Sequence, residues 1–135
     1  MTKLLRFLPL LLILIISCTP NPRKTLEIIE QGRLLIHEAD YNGAIEAFSR
    51  AIAYDNEAYE AYFLRGSAKF NIRKPKEAVE DFLKAVEIKP DYADAWFNLG
   101  QIMEIEQDME MACYYYNKAK EFGRHNMVDY LRNCP

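Results

Sequence analysis

A strict internal repeat is the feature that most restricts how this chain can fold. When residues 25–58, 59–92 and 93–126 are placed in register, small residues align with small ones and aromatic residues with aromatic ones. The shared pattern of types comprises Gly32, Gly66 and Gly100 at the eighth position, Ala44, Ala78 and Ala112 at the twentieth, Phe48, Phe82 and Tyr116 at the twenty-fourth, and Ala51, Ala85 and Ala119 at the twenty-seventh. A fixed period of about 34 residues indicates one supersecondary unit that stacks on its copies.

Each window contains two apolar periodicities of three to four residues, separated by a short polar stretch, which predicts a helix, a turn and a second helix. The small residues at the eighth and twentieth positions are expected where the two helices cross. Asp40 and Asp108 are placed to cap the second helices of repeats one and three, and Pro75 suits the first turn of that helix in repeat two. Asp91 is predicted to cap the first helix of repeat three.

The repeat resembles the tetratricopeptide repeat. The best match is "AYFLRGSAKFNIRKPKEAVEDFLKAVEIKP" (61–90), and "DAWFNLG" (94–100) has the Trp-x-x-Leu-Gly start of that family. The resemblance covers 25–126 and implies an all-α fold of three helix-turn-helix repeats in a right-handed superhelix. Beyond it, Met127, Tyr130, Leu131 and Cys134 have helical spacing, so residues 127–135 are predicted to form a C-terminal capping helix.

The N-terminus has the order of an export signal: a basic start, an apolar block from Phe7 to Ile16, and a small residue, Ser17. The block is about half of the roughly 20 residues that span a bilayer. The sequence "IISC" (15–18) resembles a bacterial lipobox, which implies that 1–17 is a signal peptide and that Cys18 becomes the lipid-bearing first residue, modified by acyl chains such as palmitate. Alternatives are an uncleaved anchor, an ordinary signal peptide, or a buried core cysteine.

This resemblance places residues 18–24 as a lipidated N-terminus and tether. It implies attachment to the membrane of the cell envelope, and Thr19 after the cysteine, rather than Asp, indicates the outer membrane under the commonest sorting rule. Cys113 and Cys134 then remain as possible disulfide partners. In an exported protein they form a disulfide or remain as two free buried thiols, and the sequence leaves both alternatives open.

A concave groove formed by the first helices is the binding surface that the tetratricopeptide resemblance implies. Its candidate protein-binding residues are Ile29, Arg33, Ile36, Phe63, Phe70, Asn71, Phe97 and Gln101. The apolar members form a ladder with the period of the repeat, which either contacts a partner or packs between repeats. The family's carboxylate clamp for chaperone tails needs Lys, Asn or Arg where this chain has Ile29, Arg33, Leu64, Asp94 and Asn98, so a chaperone-tail receptor is not expected.

Charge and motif content narrow the function classes. The chain has 17 basic and 20 acidic side chains, and no basic cluster that would bind nucleic acid. No phosphate loop, nucleophile elbow or metal-binding motif is present, so we predict no enzyme, cofactor or metal site. The leading hypothesis is a lipid-anchored adaptor or scaffold that binds another protein. The alternatives are a self-associating module that forms a homodimer, and a cytosolic scaffold if the N-terminus is not a signal.

Overall fold

The computed structural model describes residues 21–135, and Cys18 with the predicted signal peptide lies outside them. The described chain folds into seven helices. They are α1 (Pro22–His37), α2 (Tyr41–Tyr54), α3 (Tyr59–Asn71), α4 (Pro75–Ile88), α5 (Ala93–Ile105), α6 (Met109–Glu121) and α7 (Val128–Leu131). Helices α1 to α6 pack as three antiparallel pairs, one in each repeat window, and each pair packs on the next. No helix in 21–135 has the length and hydropathy needed to cross a membrane.

Helix α1 begins earlier than the sequence analysis placed it. Asn21 is its N-cap, and the side-chain oxygen of Asn21 accepts a hydrogen bond from the backbone N–H of Lys24 at 3.1 Å. Pro22 follows at the first helical position, where its fixed φ and missing N–H are tolerated. The predicted tether, 18–24, is therefore too long, because its last three residues belong to the first turn of α1.

The turns inside the three repeats share one backbone conformation. Ala39, Arg73 and Gln107, each at the fifteenth position of its window, have φ values of 60°, 61° and 64°. The next residue donates its N–H back to a carbonyl five residues earlier, as Asp40 does to Leu35 at 2.8 Å. This pattern satisfies the last carbonyls of each first helix. A left-handed conformation at a residue other than glycine costs about 1 kcal/mol, and sequence patterns did not reveal it.

The predicted caps of the second helices are confirmed. Asp40 accepts a hydrogen bond from the N–H of Gly43 at 2.9 Å, and Asp108 accepts one from the N–H of Met111 at 3.1 Å. Pro75 is the first residue of α4, as expected. The cap predicted at Asp91 is wrong, because α5 begins two residues later and the Asp91 carboxylate instead pairs with the Lys89 ammonium at 3.0 Å.

Each pair of helices crosses at a glycine that contacts an aromatic ring. A Cβ atom added to Gly32 would stand 2.5 Å from the ring of Phe48, and one added to Gly100 would stand 2.5 Å from the ring of Tyr116. Both rings are fully buried. The absence of a side chain at the eighth position is therefore what lets the aromatic residue of the second helix lie against the backbone of the first.

The interface between repeats one and two contains a buried ionic cluster. Asp81 is 4% exposed, and its carboxylate accepts two hydrogen bonds from the Arg65 guanidinium, at 2.9 and 2.7 Å. The Lys69 ammonium lies 2.8 Å from the same carboxylate, and Arg65 also donates to the hydroxyl of Ser49 in repeat one at 3.1 Å. A buried carboxylate with two cationic partners satisfies the requirement that buried charge be compensated.

The equivalent positions between repeats two and three are apolar. Leu99 and Met103 occupy in repeat three the positions that Arg65 and Lys69 occupy in repeat two, and Tyr115 likewise corresponds to Asp81. Leu99 and Tyr115 are buried, Met103 packs against them, and the Tyr115 ring stacks on Trp96 with centroids 5.8 Å apart. The two junctions of this array are therefore built from opposite chemistry at the same three positions.

A short segment closes the C-terminal end of the array. Gly123, with φ of 94°, follows the C-cap of α6, and the N–H of Arg124 donates to the carbonyl of Ala119 at 2.9 Å. The capping helix is shorter than the predicted 127–135 and spans only Val128–Leu131. Pro135 disfavours helical conformation in the residue before it, and no side chain caps α7 at its start.

Candidate functional site

The groove is the face made by the first helices of the three repeats, α1, α3 and α5. An ion pair between Arg33 and Glu60 joins α1 to α3. Aromatic contacts join the start of α3 to the N-cap of α5, where the Tyr92 ring packs edge-on against Tyr59 at 5.1 Å and against Phe63 at 4.9 Å. These contacts hold the three helices side by side, so that groove positions from different repeats form one surface.

Two members of the predicted apolar ladder lie in the core. Ile29 is 3% exposed and packs with Ala44 and Phe48, and Phe97 is 6% exposed and packs with Tyr116. Their side chains point toward the second helix of their own repeat, because the fifth position faces the crossing of the pair. For these two residues the structure favours the alternative in which the ladder packs within the fold.

The other apolar members are half-buried. Phe63 contacts Phe82 at 5.7 Å between ring centroids as well as Tyr92, Ile36 packs on the core of repeat one, and Phe70 packs on the core shared by repeats two and three. Each therefore presents only part of its side chain to the groove. A partner could contact their edges, while most of their area stabilises the array.

The polar members remain accessible. Arg33 is half-buried and engages Glu60, with a second carboxylate, that of Glu30, 3.4 Å from its Nε. That approach lacks hydrogen-bond geometry, so Arg33 Nε has no hydrogen-bond partner within residues 21–135. Asn71 is exposed and donates to the carbonyl of Ser67 at 2.9 Å, and Gln101 is half-buried. Amide side chains such as these can bind the backbone of an extended segment.

Three large apolar side chains are exposed on the groove helices and were missed: Leu26 and Leu34 on α1, and Ile105 on α5. Leu26 is 58% exposed, and Ile105 is 65% exposed at the other end of the face. Leu26 borders a shallow cavity of about 300 Å³ that is also lined by Ile29, Tyr59 and Glu60. Leu26 and Ile105 occupy the second and thirteenth positions of their repeats. Both positions belong to the groove in the tetratricopeptide family, so the resemblance could have identified these two residues as candidates.

The Tyr92 hydroxyl lies near two carboxylates at the start of α3 and α5. Burial, together with the carboxylates of Asp94 and Glu60, raises the pKa of Tyr92 to about 12, while Arg33 opposes this shift. The hydroxyl of Tyr92 therefore stays neutral at physiological pH, where it can donate a hydrogen bond. Both carboxylates are already paired, Glu60 with Arg33 and Asp94 with Arg124.

Arg124 closes the C-terminal end of the groove. Its guanidinium pairs with the Asp94 carboxylate, and its central carbon lies 3.7 Å from the centre of the Phe97 ring. Asp94 and Phe97 occupy the second and fifth positions of repeat three. The end of the groove is therefore occupied by a residue near the end of the last repeat window, beyond α6, and the packing of Arg124 contributes to the burial of Phe97.

The positions of the carboxylate clamp have the wrong chemistry for an acidic tail. Ile29 is buried, Arg33 already pairs with Glu60, and the position of a clamp lysine in repeat three is occupied by Asp94. An acidic side chain in place of a cation repels a terminal carboxylate.

The acids at the turn of repeat three are exposed. They are Glu104, Glu106, Asp108 and Glu110. Asp108 acts as a helix cap, and Glu104 accepts a hydrogen bond from the hydroxyl of buried Tyr116 at 2.5 Å. Burial, followed by this hydrogen bond, raises the pKa of Tyr116. No group of three or more potential metal ligands occurs in the part of the chain that the structure describes. His37, at the end of α1, is exposed to solvent.

Comparison with protein families and solved structures identifies the repeat. Residues 74–104 match the family model described as a TPR repeat, and residues 93–122 match one described as a tetratricopeptide repeat. The chain contains tetratricopeptide repeats. Its all-α array of helix-turn-helix units has the fold that the sequence analysis predicted.

Curated relatives share the repeats over a small part of their length. The STIP1 homolog of Dictyostelium discoideum is 31% identical over 97 residues, which is 67% of this chain and 17% of that protein. The tetratricopeptide repeat and J domain-containing co-chaperone DNJ1 of Cryptococcus neoformans is 26% identical over 95 residues, 70% of this chain and 18% of that protein. The chain thus spans less than a fifth of the length of these two relatives.

Solved tetratricopeptide domains have the same fold. The first TPR of Spaghetti (RPAP3), bound to the HSP90 peptide SRMEEVD, superposes with a TM-score of 0.78 at 24% identity and covers 83% of this chain and 90% of that one. The Sgt2 TPR domain from Aspergillus fumigatus gives a TM-score of 0.76 at 23% identity, covering 86% and 79%. At these identities the likeness shows the fold alone.

Proposed function

We propose that this chain is a non-enzymatic protein-interaction module whose groove binds an extended segment or a helix of another protein. The observation that supports this most directly is the set of accessible side chains on the first helices. Leu26 and Ile105 expose apolar area, and Asn71 and Gln101 offer amide groups between them. These side chains contribute little to the packed core, and their mixture of apolar and amide groups suits peptide recognition.

The proposed partner differs from an acidic chaperone tail. Solved relatives include domains with HSP90 and HSP70 peptides bound, named SRMEEVD and SGPTIEEVD. In this groove Arg33 already pairs with Glu60, and the clamp lysine of repeat three is replaced by Asp94. We therefore expect no binding of SRMEEVD.

We also propose that the module is a lipoprotein of the bacterial cell envelope, attached through Cys18 to the membrane and sorted to the outer membrane. The lipobox-like "IISC" supports attachment, and Thr19 supports the sorting. Because α1 begins at Pro22, only three residues separate Cys18 from the helix, a reach of about 10 Å. Two or three acyl chains on one residue give stable anchoring, so the scaffold would act at the membrane surface.

A photocrosslinking amino acid at position 98 tests the groove. Asn98 lies half-buried on α5, whereas Glu80 is exposed on a second helix and provides a control site. In intact cells we expect a discrete adduct from position 98 and none from position 80. Equal adducts from both sites would contradict the groove assignment, and an adduct consisting of two copies of this chain would support the homodimer alternative instead.

Metabolic labelling with palmitate tests the anchor. The wild-type protein is expected to take up label and sediment with membranes, and Cys18→Ala is expected to lose the label. Cys134→Ala provides a matched control that should stay labelled, since its thiol lies outside the lipobox. Label that persists in Cys18→Ala would overturn the lipoprotein assignment without affecting the groove.

A further inference from the structure

The C-terminal segment reproduces the contacts that one repeat makes with the next. At the junction of repeats two and three, Phe63 packs against Phe82 at 5.7 Å and meets Tyr92 edge-on at 4.9 Å with planes 69° apart. At the C-terminal end, Phe97 packs against Tyr116 at 5.7 Å and meets Tyr130 edge-on at 4.8 Å with planes 88° apart. Tyr130 thus covers repeat three in the way that Tyr92 covers repeat two.

Few contacts hold this segment in place. Met127 is buried in the core of repeat three, Leu131 packs against the same core, and α7 is a single turn. Tyr130 adds its ring contacts with repeat three, and a disulfide joins Cys113 of α6 to Cys134. A helix of four residues has no stability of its own in water, so the segment depends on the disulfide and on three side chains.

The two sulfur-bearing residues differ in accessibility. Cys113, on α6, is only 6% exposed. Cys134 is half-buried and precedes Pro135 at the edge of the fold. A reductant can therefore approach from the side of Cys134. Exposed disulfides of this kind are more readily reduced than those enclosed in a core.

We propose that the Cys113–Cys134 disulfide is a redox latch: a dithiol reductant releases residues 127–135 and uncovers Phe97 and Tyr116, while the three repeats stay folded. A thiolate of the dithiol attacks Cys134 Sγ, the S–S bond breaks, and its electron pair leaves on Cys113 Sγ, which takes a proton. The second thiol of the reductant then attacks the mixed disulfide and releases the Cys134 thiol. The reductant becomes a disulfide and the protein gains two thiols.

Reduction is expected to release only residues 127–135, because the disulfide closes a short loop at the C-terminal end of the array. The disulfide joins residues 21 apart, and the segment packs on the core of repeat three through Met127 and Leu131. The cores of repeats one and two contain no residue of the segment. A disulfide that merely staples a fold would behave differently, since its reduction would either fail under native conditions or unfold the repeats with it.

Hydrogen exchange measured by mass spectrometry, with oxidised and dithiothreitol-reduced protein, tests the latch. Reduction is expected to raise amide exchange in 127–135 by roughly 300-fold, the factor that the loop-entropy model gives for this separation. Exchange in α1 to α4 and the far-ultraviolet circular dichroism are expected to stay unchanged. Binding of the dye 8-anilinonaphthalene-1-sulfonate should rise as Phe97 and Tyr116 become accessible.

A variant provides the matched control. Cys134→Ser is expected to show the fast exchange of the reduced protein without reductant, and no response when dithiothreitol is added. Three outcomes would overturn the proposal: a disulfide that resists dithiothreitol in the folded protein, reduction that leaves 127–135 protected, or reduction that raises exchange equally in α1 to α4. Because the wild-type protein supplies both states, the test does not depend on the folding of the variant.

Discussion

Asp81→Ala is expected to lower the free energy of unfolding by about 3 to 5 kcal/mol, because it removes the carboxylate that compensates the largely buried Arg65 and leaves only Glu77, 3.9 Å away, to pair with Lys69. The side chain of Asp81 is 5% exposed, and those of Arg65 and Lys69 are 19% and 13% exposed, so solvent screens the cluster little. Urea denaturation followed by circular dichroism measures the loss. The neighbouring exposed acid gives a control, since Glu80→Ala is expected to change stability by less than about 0.5 kcal/mol.

A triple substitution distinguishes two causes of lost stability in Asp81→Ala: unbalanced buried charge and the missing Asp81 side chain. Arg65→Leu, Lys69→Met and Asp81→Tyr install the residues that repeat three has at the same positions. Tyr62 stands where Trp96 stands in repeat three and can stack on the new ring. Buried ion pairs are often replaced by packed apolar residues without net cost, so the triple variant is expected to recover wild-type stability or exceed it. If Asp81→Ala costs less than about 1 kcal/mol, the cluster is not the buried charge network described above.

Phe97→Ala is expected to lower the free energy of unfolding by about 3 to 4 kcal/mol, because it removes a buried ring from between Tyr116, Tyr130 and Arg124. If Phe63 and Phe97 belonged to the binding surface, their substitution by alanine would weaken partner binding with unchanged helicity, whereas core residues would lose helicity. The burial of Phe97 leads us to expect the second outcome for this residue. Phe63→Ala is expected to cost less, because the Phe63 side chain is only half-buried.

Leu26→Ala provides the matched control for Phe97→Ala. Leu26 is an apolar residue of the groove, but it is 58% exposed, so its truncation should leave stability within about 0.5 kcal/mol of wild type. Equilibrium denaturation of the three single variants gives the ranking. A Phe97→Ala protein with unchanged stability would show that this ring belongs to the binding surface rather than to the core.

The starts of the second helices were predictable from sequence because their determinants are local. Asp40 and Asp108 cap helices that start at the next residue. Asp91 failed as a cap because its carboxylate could reach Lys89 instead. Left-handed turn residues at Ala39 and its equivalents gave no signal, since none of them is a glycine.

The candidate site was only partly predictable. The period of the repeat identifies which positions are equivalent in each window, and Arg33, Asn71 and Gln101 are accessible where it placed them. The period does not specify how far a side chain at each position points toward the second helix of its repeat. That orientation buries Ile29 and Phe97. The exposed Leu26 and Ile105 occupy groove positions whose importance depends on the same orientation.

By itself, the sequence determined the repeat: its length, its two helices, and the pairing of a small residue with an aromatic one, as at Gly100 and Tyr116. Only the tertiary structure decided which side chains of separate helices meet. It placed Asp81 between two cations, brought Cys134 to Cys113, and set Tyr130 on Phe97. Helical periodicity depends on neighbours three and four residues away, whereas these contacts depend on where separate helices stand in space, which no local pattern specifies.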